Sequence, residues 1–381
     1  MRLIWRRDFW FLLGIAWLAA VTVAALSAGA GALQPAAPRA ANAPVAATAA
    51  PTKAAAAATP TLPANVSVQP AGERVYSLSG PNPGVMQPAM DAQGNLWFGE
   101  MGTNKLARLD SRTGAVTTWT PPGGKYNVMQ TAVDSAGNVW FTEQAANYIG
   151  RFDPAAQRFT TYPLEQPGGH SAAPQALAFD ARGMLWFTEV STGKIGRLDP
   201  GSGQITTWPV PALPGGARPY PFALVITPEG GIWFGEIGGG AVGRLDPASG
   251  QVKLYALADA KAQVFSMAAD GSGNVWFTEL EQGKLGVVES RSGAVRELAV
   301  PASLGNNLGL YAVVAAANGD VWFACSGSNA LVRYVPGSDR FTFYTLGAPA
   351  SVPYGLALDS SGRLWFTAAA SPQNYVGVMH V

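Results

Sequence analysis

The sequence has little that would cross-link the chain covalently or bind a polyanion. It contains a single cysteine, Cys325, so an intrachain disulfide is excluded and the fold must be held together by packing. Charged residues make up only 13% of the chain, and 25 Lys and Arg are balanced by 24 Asp and Glu. No basic face that would release counterions from phosphates is indicated, which argues against a nucleic-acid-binding protein.

The sequence is rich in glycine and proline and in one repeated phrase. Its 45 Gly and 29 Pro fit many tight turns between short strands. A Trp-Phe pair, in most copies behind an Asp-x-x-Gly turn, recurs seven times, 43 to 47 residues apart, at Trp97, Trp140, Trp186, Trp233, Trp276, Trp322 and Trp365. Repeats of about 40–50 residues made of short strand patterns are typical of propeller blades. We therefore predict an all-β, seven-bladed β-propeller of four-stranded blades over residues 72–381, with the Trp-Phe pairs as core between blades.

The last repeat is one strand short. It stops at His380 and Val381, directly after its third strand pattern. Residues 73–78 resemble the fourth strands of other repeats, at residues 159–162 and 341–344. We predict that residues 73–79 pair with the final blade and close the ring, because closure removes open sheet edges.

The N-terminus carries the one long apolar stretch. Arg2, Arg6 and Arg7 precede an uncharged run over residues 9–33, long enough for a hydrophobic helix to cross a bilayer. Residues 1–33 are therefore either an uncleaved signal anchor or a signal peptide. Either alternative puts the propeller outside the cytoplasm, tethered to the cell membrane by a single pass or secreted. A lipoprotein is excluded, because no cysteine lies in or just after this run.

Residues 34–71 are interpreted as a spacer. They consist largely of Ala, Pro and Thr, with almost no large apolar side chains. Such a segment buries too little surface to offset its ordering entropy, and its prolines favour extended conformations. The sequence predicts a disordered linker between the N-terminal helix and the propeller.

Five glutamates recur three residues after the tryptophan. They are Glu100, Glu143, Glu189, Glu236 and Glu279, replaced by Cys325 and Ala368 in the last two repeats. A hairpin turn centred four residues before each tryptophan would pair this position with the residue eleven before it. We therefore expect the glutamates to ring one mouth of the propeller, facing Met86, Met129, Gln175, Phe222, Phe265, Tyr311 and Tyr354.

Three roles are open for this acidic mouth. Lys105, Lys194 and Lys284 follow their tryptophans by eight residues, within reach of three of the glutamates, which favours structural ion pairs. The alternatives are ligand contacts or a divalent cation such as Mg²⁺ held by two or three carboxylates. Longer loops on the same rim carry His170, Arg218 and Tyr220 as further candidate ligand contacts.

The blade phrases resemble those of the streptogramin B lyases, the virginiamycin B lyase type of seven-bladed propeller. The resemblance lies in Trp-Phe-Thr-Glu at residues 140–143 and 186–189 and in Ile-Gly-Arg within residues 147–151 and 194–198, and it covers about residues 73–381. It implies Mg²⁺-dependent elimination at an ester, which linearises a cyclic depsipeptide antibiotic. It also implies a histidine base at the start of each of the last two blades.

The positions that match those histidines hold Tyr311 and Tyr354. The resemblance also implies one carboxylate near the end of the last blade's second strand and another just before that blade's histidine; the matching residues, 367–369 and 351–352, include none. A tyrosine with a pKa near 10 is a poor base at neutral pH. One hypothesis is therefore a monomeric binding propeller for a small molecule, glycan or peptide. The alternative is a carbon–oxygen lyase with a changed site that uses Tyr311, Tyr354, Glu279 or His170, and a third is a structural module at the cell surface.

Overall fold

The computed structural model describes residues 63–78, 84–123, 127–301, 309–348, 351–369 and 374–381. They belong to one compact unit, Pro63–Val381. The expected N-terminal helix and most of the expected linker lie outside the described residues. Within the described part of the chain no helix is long and apolar enough to cross a membrane.

Seven sheets follow one another along the chain, as the repeat predicts. Two N-terminal strands, β1 (Val66–Pro70) and β2 (Arg74–Ser77), precede the first complete repeat. Blade 1 contains β3 (Ala89–Met90), β4 (Leu96–Glu100), β5 (Lys105–Leu109) and β6 (Val116–Trp119). Blade 2 contains β7 (Val128–Val133), β8 (Val139–Glu143), β9 (Tyr148–Asp153) and β10 (Arg158–Pro163). Blade 3 contains β11 (Pro174–Phe179), β12 (Leu185–Glu189), β13 (Lys194–Leu198) and β14 (Ile205–Pro209).

The remaining blades repeat this order. Blade 4 contains β15 (Pro221–Ile226), β16 (Ile232–Glu236), β17 (Ala241–Leu245) and β18 (Val252–Ala256). Blade 5 contains β19 (Val264–Ala269), β20 (Val275–Glu279), β21 (Lys284–Val288) and β22 (Val295–Ala299). Blade 6 contains β23 (Leu310–Ala315), β24 (Val321–Cys325), β25 (Ala330–Val335) and β26 (Arg340–Thr345), and blade 7 contains β27 (Val352–Leu358), β28 (Arg363–Ala369) and β29 (Tyr375–His380). In the described part of the chain, short 3₁₀ turns lie at Pro167–Gly169, Pro214–Gly216 and Ser326–Ser328.

The propeller has two rims. We call the end with the turns between the first and second strands, such as residues 134–138, the turn rim. The opposite end carries the connections between blades, such as residues 163–174 and 209–221, and we call it the loop rim.

Strand β2 closes the ring, as expected from the sequence. It pairs antiparallel with β29, with Arg74 opposite Val378 and Ser77 opposite Tyr375. The Tyr76 ring stacks on Trp365 at 5.9 Å between centroids. The segment before blade 1 therefore supplies the strand that blade 7 lacks.

Strand β1 corrects the expected linker boundary. Composition places residues 66–70 in the disordered spacer, yet they form a fifth strand parallel to β26 on the outer edge of blade 6. Asn65 Nδ2 also donates to Asp339 O at 2.9 Å. The exposed edge of β26, about 275 residues away along the chain, offers the backbone partners that local composition does not reveal.

The tryptophans pack between blades, which confirms their interpretation as core. All seven are at most 4% exposed. The indole of one blade packs in a cluster with the phenylalanine ring of the next, as Trp140 does with Phe187 and Trp365 with Phe98. In blades 2, 3, 4, 5 and 7 that phenylalanine lies over a glycine of the third strand of its own blade. A Cβ on Gly150 would come within 2.2 Å of the Phe141 ring, which explains the glycine of the Ile-Gly-Arg phrase.

Candidate functional site

A β-bulge in the first strand shifts the expected register at the loop rim by one residue. The residue paired with the glutamate position is twelve before the tryptophan, and not eleven. Pro174 faces Glu189 and Pro221 faces Glu236, for example, and all seven blades share this offset. The expected pairing of the glutamates with the residues eleven positions before each tryptophan is therefore wrong. The bulge places two residues of the first strand opposite one residue of the second strand.

The bulged residues meet at the centre of the ring. We call this set the axial cluster, and its members are Met86, Met129, Gln175, Phe222, Phe265, Tyr311 and Tyr354. The Phe265 ring lies 5.1 Å from those of both Phe222 and Tyr311 and 5.5 Å from that of Tyr354. The Tyr311 and Tyr354 rings are 5.0 Å apart. A cavity of about 70 Å³ adjoins the cluster, and Tyr354 borders it.

Threonines two residues after the tryptophan hold the bulges in place. Thr188 Oγ1 accepts from Ala176 N of its own blade at 3.0 Å and donates to Phe222 O of the next blade at 3.1 Å. Thr278 Oγ1 donates in the same way to Tyr311 O at 2.6 Å. One hydroxyl therefore satisfies two backbone groups that the bulge removes from the ladder, and it fixes an axial residue of the neighbouring blade.

The two axial tyrosines are neutral at physiological pH. Burial, together with the charge of Glu281, raises the pKa of Tyr311 to about 12. Burial and the neighbouring Tyr311 raise the pKa of Tyr354 still further. Tyr354 is 6% exposed, whereas Phe222, Phe265 and Tyr311 are half-buried. The cluster therefore presents apolar ring surface toward the loop rim.

The five glutamates are buried instead of lining an open mouth. Each is at most 4% exposed. Glu100 accepts from Thr103 Oγ1, Glu189 from Thr192 Oγ1, and Glu236 from the backbone N–H of Tyr220. Burial raises the pKa of Glu100 and of Glu189, and it raises the pKa of Glu236 to about 7. The contacts of Glu100, Glu189 and Glu236 therefore stabilise nearby segments of the loop rim.

Glu279 faces a second carboxylate that its sequence position did not reveal. Burial, followed by contact with Glu297, raises the pKa of Glu279 to about 8. Burial opposes ionisation of Glu297 as well, but hydrogen bonds from Lys284 Nζ and Ala258 N lower its pKa. Glu297 lies on outer strand β22, outside the repeated phrase, so only the fold brings it next to Glu279.

The lysines pair differently from the sequence expectation. Lys284 Nζ contacts Glu297 at 2.9 Å, and Lys194 Nζ lies 3.8 Å from Glu165. The expected partners were Glu279 and Glu189. The outer strand and the loop between blades supply more accessible carboxylates than the buried second strand.

The candidate ligand contacts on the long loops lie on two different connections between blades. His170 is exposed. Arg218 donates to Ser191 O, and its guanidinium lies 5.6 Å from the centroid of the Tyr220 ring. These contacts tie the loop of residues 209–221 to blade 3.

The described residues do not form a site that fits the Mg²⁺ implied by the resemblance. No three His, Cys, Asp or Glu side chains in these parts of the chain are grouped so as to hold a metal ion. Ala368 is fully buried, and Ser351 Oγ is 2.8 Å from Tyr375 Oη. The positions where the resemblance implies carboxylates are thus filled by a methyl group and a hydroxyl pair.

Comparison with known proteins places the chain among lyase-like propellers. The model of the Virginiamycin B lyase family matches residues 74–376. A streptogramin B lyase structure is 26% identical over 80% of this chain and 96% of its own, with a TM-score of 0.72.

Two further structures resemble the fold. A virginiamycin B lyase from Staphylococcus aureus is 24% identical over 81% of this chain and 99% of its own, with a TM-score of 0.72. A structure of YCF48 bound to D1 peptide is 13% identical over 84% of this chain and 99% of its own, with a TM-score of 0.64. A search of curated proteins found no match.

Proposed function

This chain belongs to the virginiamycin B lyase family, and we propose that it is a binding propeller that has lost the family's elimination chemistry. Its ligand is a small molecule, glycan or peptide that contacts the axial cluster at the loop rim. The propeller acts outside the cytoplasm, tethered through residues 9–33 when these are not cleaved. No nucleic acid is involved.

The observation that carries this proposal is the pair of tyrosines at the expected base positions. A general base must accept a proton near neutral pH. The raised pKa of Tyr311, about 12, and the more strongly raised pKa of Tyr354 leave both phenols protonated. Neither has a cation among the causes of its shift, which would be needed to lower it. Proton abstraction by these residues is therefore disfavoured.

The axial cluster supports binding in place of catalysis. Phe222, Phe265 and Tyr311 are half-buried, and each ring is held by aromatic neighbours about 5 Å away. Rigid aromatic faces bind apolar side chains and sugar rings with little loss of conformational entropy. The adjoining cavity of about 70 Å³ is smaller than the few hundred Å³ of a typical ligand pocket. The ligand therefore lies across the rim and does not enter the axis.

The proposal is tested with arrays of glycans and peptides and the purified propeller. Saturable binding is expected, and Phe265→Leu should weaken it by about tenfold because a flat ring face is lost while apolar volume is kept. Val75→Ala, at an exposed residue of the closing strand, is the matched control and should bind like the wild type. Absence of saturable binding, or equal binding by Phe265→Leu, would refute the proposal.

The Glu279–Glu297 pair favours lyase activity as a second candidate function. One carboxyl has its pKa raised to about 8 and the other has it lowered, which is the pattern of an acid paired with a base. Incubation with a type B streptogramin and Mg²⁺ tests this function. Elimination leaves the mass unchanged, so chromatographic retention must be followed. A retention shift that Glu279→Gln abolishes would establish the lyase and overturn the binding proposal.

A further inference from the structure

The aromatic rings of the axial cluster come from neighbouring blades. Blades 4 to 7 contribute Phe222, Phe265, Tyr311 and Tyr354, and the first three of these rings are half-buried. The Phe265 and Tyr311 rings stand at 84° to each other, with their centroids 5.1 Å apart. Two rings at nearly a right angle bound a corner between two ring faces. Several such faces together form the aromatic cages that hold alkylammonium groups.

Blade 5 adds an acid at a position where the other blades have small side chains. Glu281 follows Trp276 by five residues, and the other six repeats have Gly, Ala or Ser at that position. Glu281 is exposed. The repeat does not require a charge here, so the acid is a departure that belongs to blade 5 alone.

Backbone contacts place Glu281 close to Tyr311. Leu280 O accepts from Gly309 N at 2.8 Å and from Leu310 N at 3.2 Å. The hairpin of Glu281 is therefore joined to the start of the strand that carries Tyr311. Burial, followed by the charge of Glu281, raises the pKa of Tyr311 to about 12. The carboxylate thus acts on the space around the Tyr311 ring.

In the described part of the chain no cationic side chain pairs with Glu281. Gln263 Nε2 donates to Glu281 Oε2 at 3.2 Å, and no ion pair within 4.0 Å involves this acid. Lys284 contacts Glu297 instead, and Lys261 forms no ion pair among these residues. The charge of Glu281 is therefore available to a ligand.

The loop rim already contains one contact between a cation and an aromatic ring. The Arg218 guanidinium lies 5.6 Å from the centroid of the Tyr220 ring and donates to Ser191 O. Among the described residues no cation of the chain lies over the Phe265 or Tyr311 ring. These two rings combine aromatic surface with an adjacent acid, and the chain supplies no cation to them.

We propose that the loop rim binds the alkylammonium group of a small molecule, held against the Phe265 and Tyr311 rings and beside the Glu281 carboxylate. This inference rests on the proposed binding function and names the chemistry of its ligand. The ring quadrupoles attract the cation, and the carboxylate supplies the opposite charge. Charge complementarity of this kind also speeds association and disfavours anionic ligands.

Choline is the probe, compared by calorimetry with its neutral isostere, in which a carbon atom replaces the nitrogen. The two compounds have the same shape, so the difference in affinity reports the charge. Saturable choline binding is expected, with the isostere about tenfold weaker. Phe265→Leu should also weaken choline binding by about tenfold. Equal affinity for choline and the isostere, or no choline binding, would overturn the assignment.

Glu281→Gln removes the charge and keeps the size of the side chain. It should weaken choline binding several-fold and leave the isostere unaffected, and it should reduce the dependence of choline affinity on salt. Glu229→Gln removes an exposed glutamate of the turn rim and is the matched control. It should bind choline like the wild type. Unchanged choline binding by Glu281→Gln would contradict the role of this acid.

The inference and the proposed function fail separately. Saturable binding of a neutral glycan that Phe265→Leu weakens, without choline binding, would refute the alkylammonium ligand and leave the binding propeller in place. Choline binding that both Phe265→Leu and Glu281→Gln weaken would support both proposals. Absence of binding to choline and to the arrays would refute both.

Discussion

The turn rim and the loop rim are built from the same strands but use their side chains differently. At the turn rim, the aspartate, the indole and a nearby arginine recur with nearly the same contacts from blade to blade. At the loop rim, the glutamates have several kinds of partner: a threonine hydroxyl for Glu100 and Glu189, a backbone N–H for Glu236 and the carboxylate of Glu297 for Glu279. The axial residues change from methionine to aromatic around the ring. The repeated contacts fix the turn between the first and second strands in most blades. We therefore expect specific binding at positions whose side chains differ from blade to blade.

Ring closure should give the largest effect, because it supports both rims at once. Tyr76→Ala removes a ring that is 8% exposed and stacks on Trp365. Truncations of buried aromatics cost about 3–5 kcal/mol. Chemical denaturation should show this loss of unfolding free energy, whereas Val75→Ala on the same strand should change it little. Equal stability of the two variants would show that the closing strand is dispensable.

Removal of a turn-rim aspartate should have the next largest effect. Asp134 accepts from the backbone of Ala136 and Asn138, from Asn138 Nδ2 and from the Trp140 indole. Asp134→Ala leaves these donors without an acceptor, at a cost of about 2–3 kcal/mol. Ser135→Ala in the same turn serves as the control. If Asp134→Ala destabilised the protein no more than Ser135→Ala in thermal unfolding, the turn-rim network would contribute little to stability.

The loop-rim glutamates should make stability depend on pH. Their folded pKa values, about 7 for Glu236 and about 8 for Glu279, lie above the unfolded value of 4.5. The folded state therefore holds protons that the unfolded state has lost, so stability falls as pH rises from about 5 to about 8. One unit of difference between the folded and unfolded pKa corresponds to about 1.4 kcal/mol, so this loss should be measurable by denaturation. Urea unfolding of Glu236→Gln and Glu279→Gln should show a flatter pH profile, and an unchanged profile would contradict the raised values.

The threonine bridges should give the smallest effect. Thr188→Val keeps the shape of the side chain but removes the hydroxyl between Ala176 N and Phe222 O. A loss of about 1–2 kcal/mol is expected, with faster hydrogen exchange at the Ala176 amide. Thr206→Val on the outer strand is the control. Unchanged exchange at Ala176 would mean that the bulge is held by other contacts.

Most of the fold could be predicted from the sequence, and less of the site. The blade count, the strands, the closing strand and the burial of the tryptophans follow from local patterns that repeat seven times. The register at the loop rim was missed by one residue, because a bulge depends on a hydroxyl such as that of Thr188 and not on the alternation within one strand. Strand β1 was missed because its partner is the edge of a distant blade.

The sequence by itself determined that this chain is a ring of seven blades whose repeats resemble those of the virginiamycin B lyase family. Only the tertiary structure decided which side chains meet: the axial rings around Phe265, the carboxyl of Glu279 beside Glu297, and the charge of Glu281 near Tyr311. The physical reason is that periodicity fixes the face on which a residue lies. Its pKa and its unsatisfied hydrogen bonds depend on neighbours from other strands and blades.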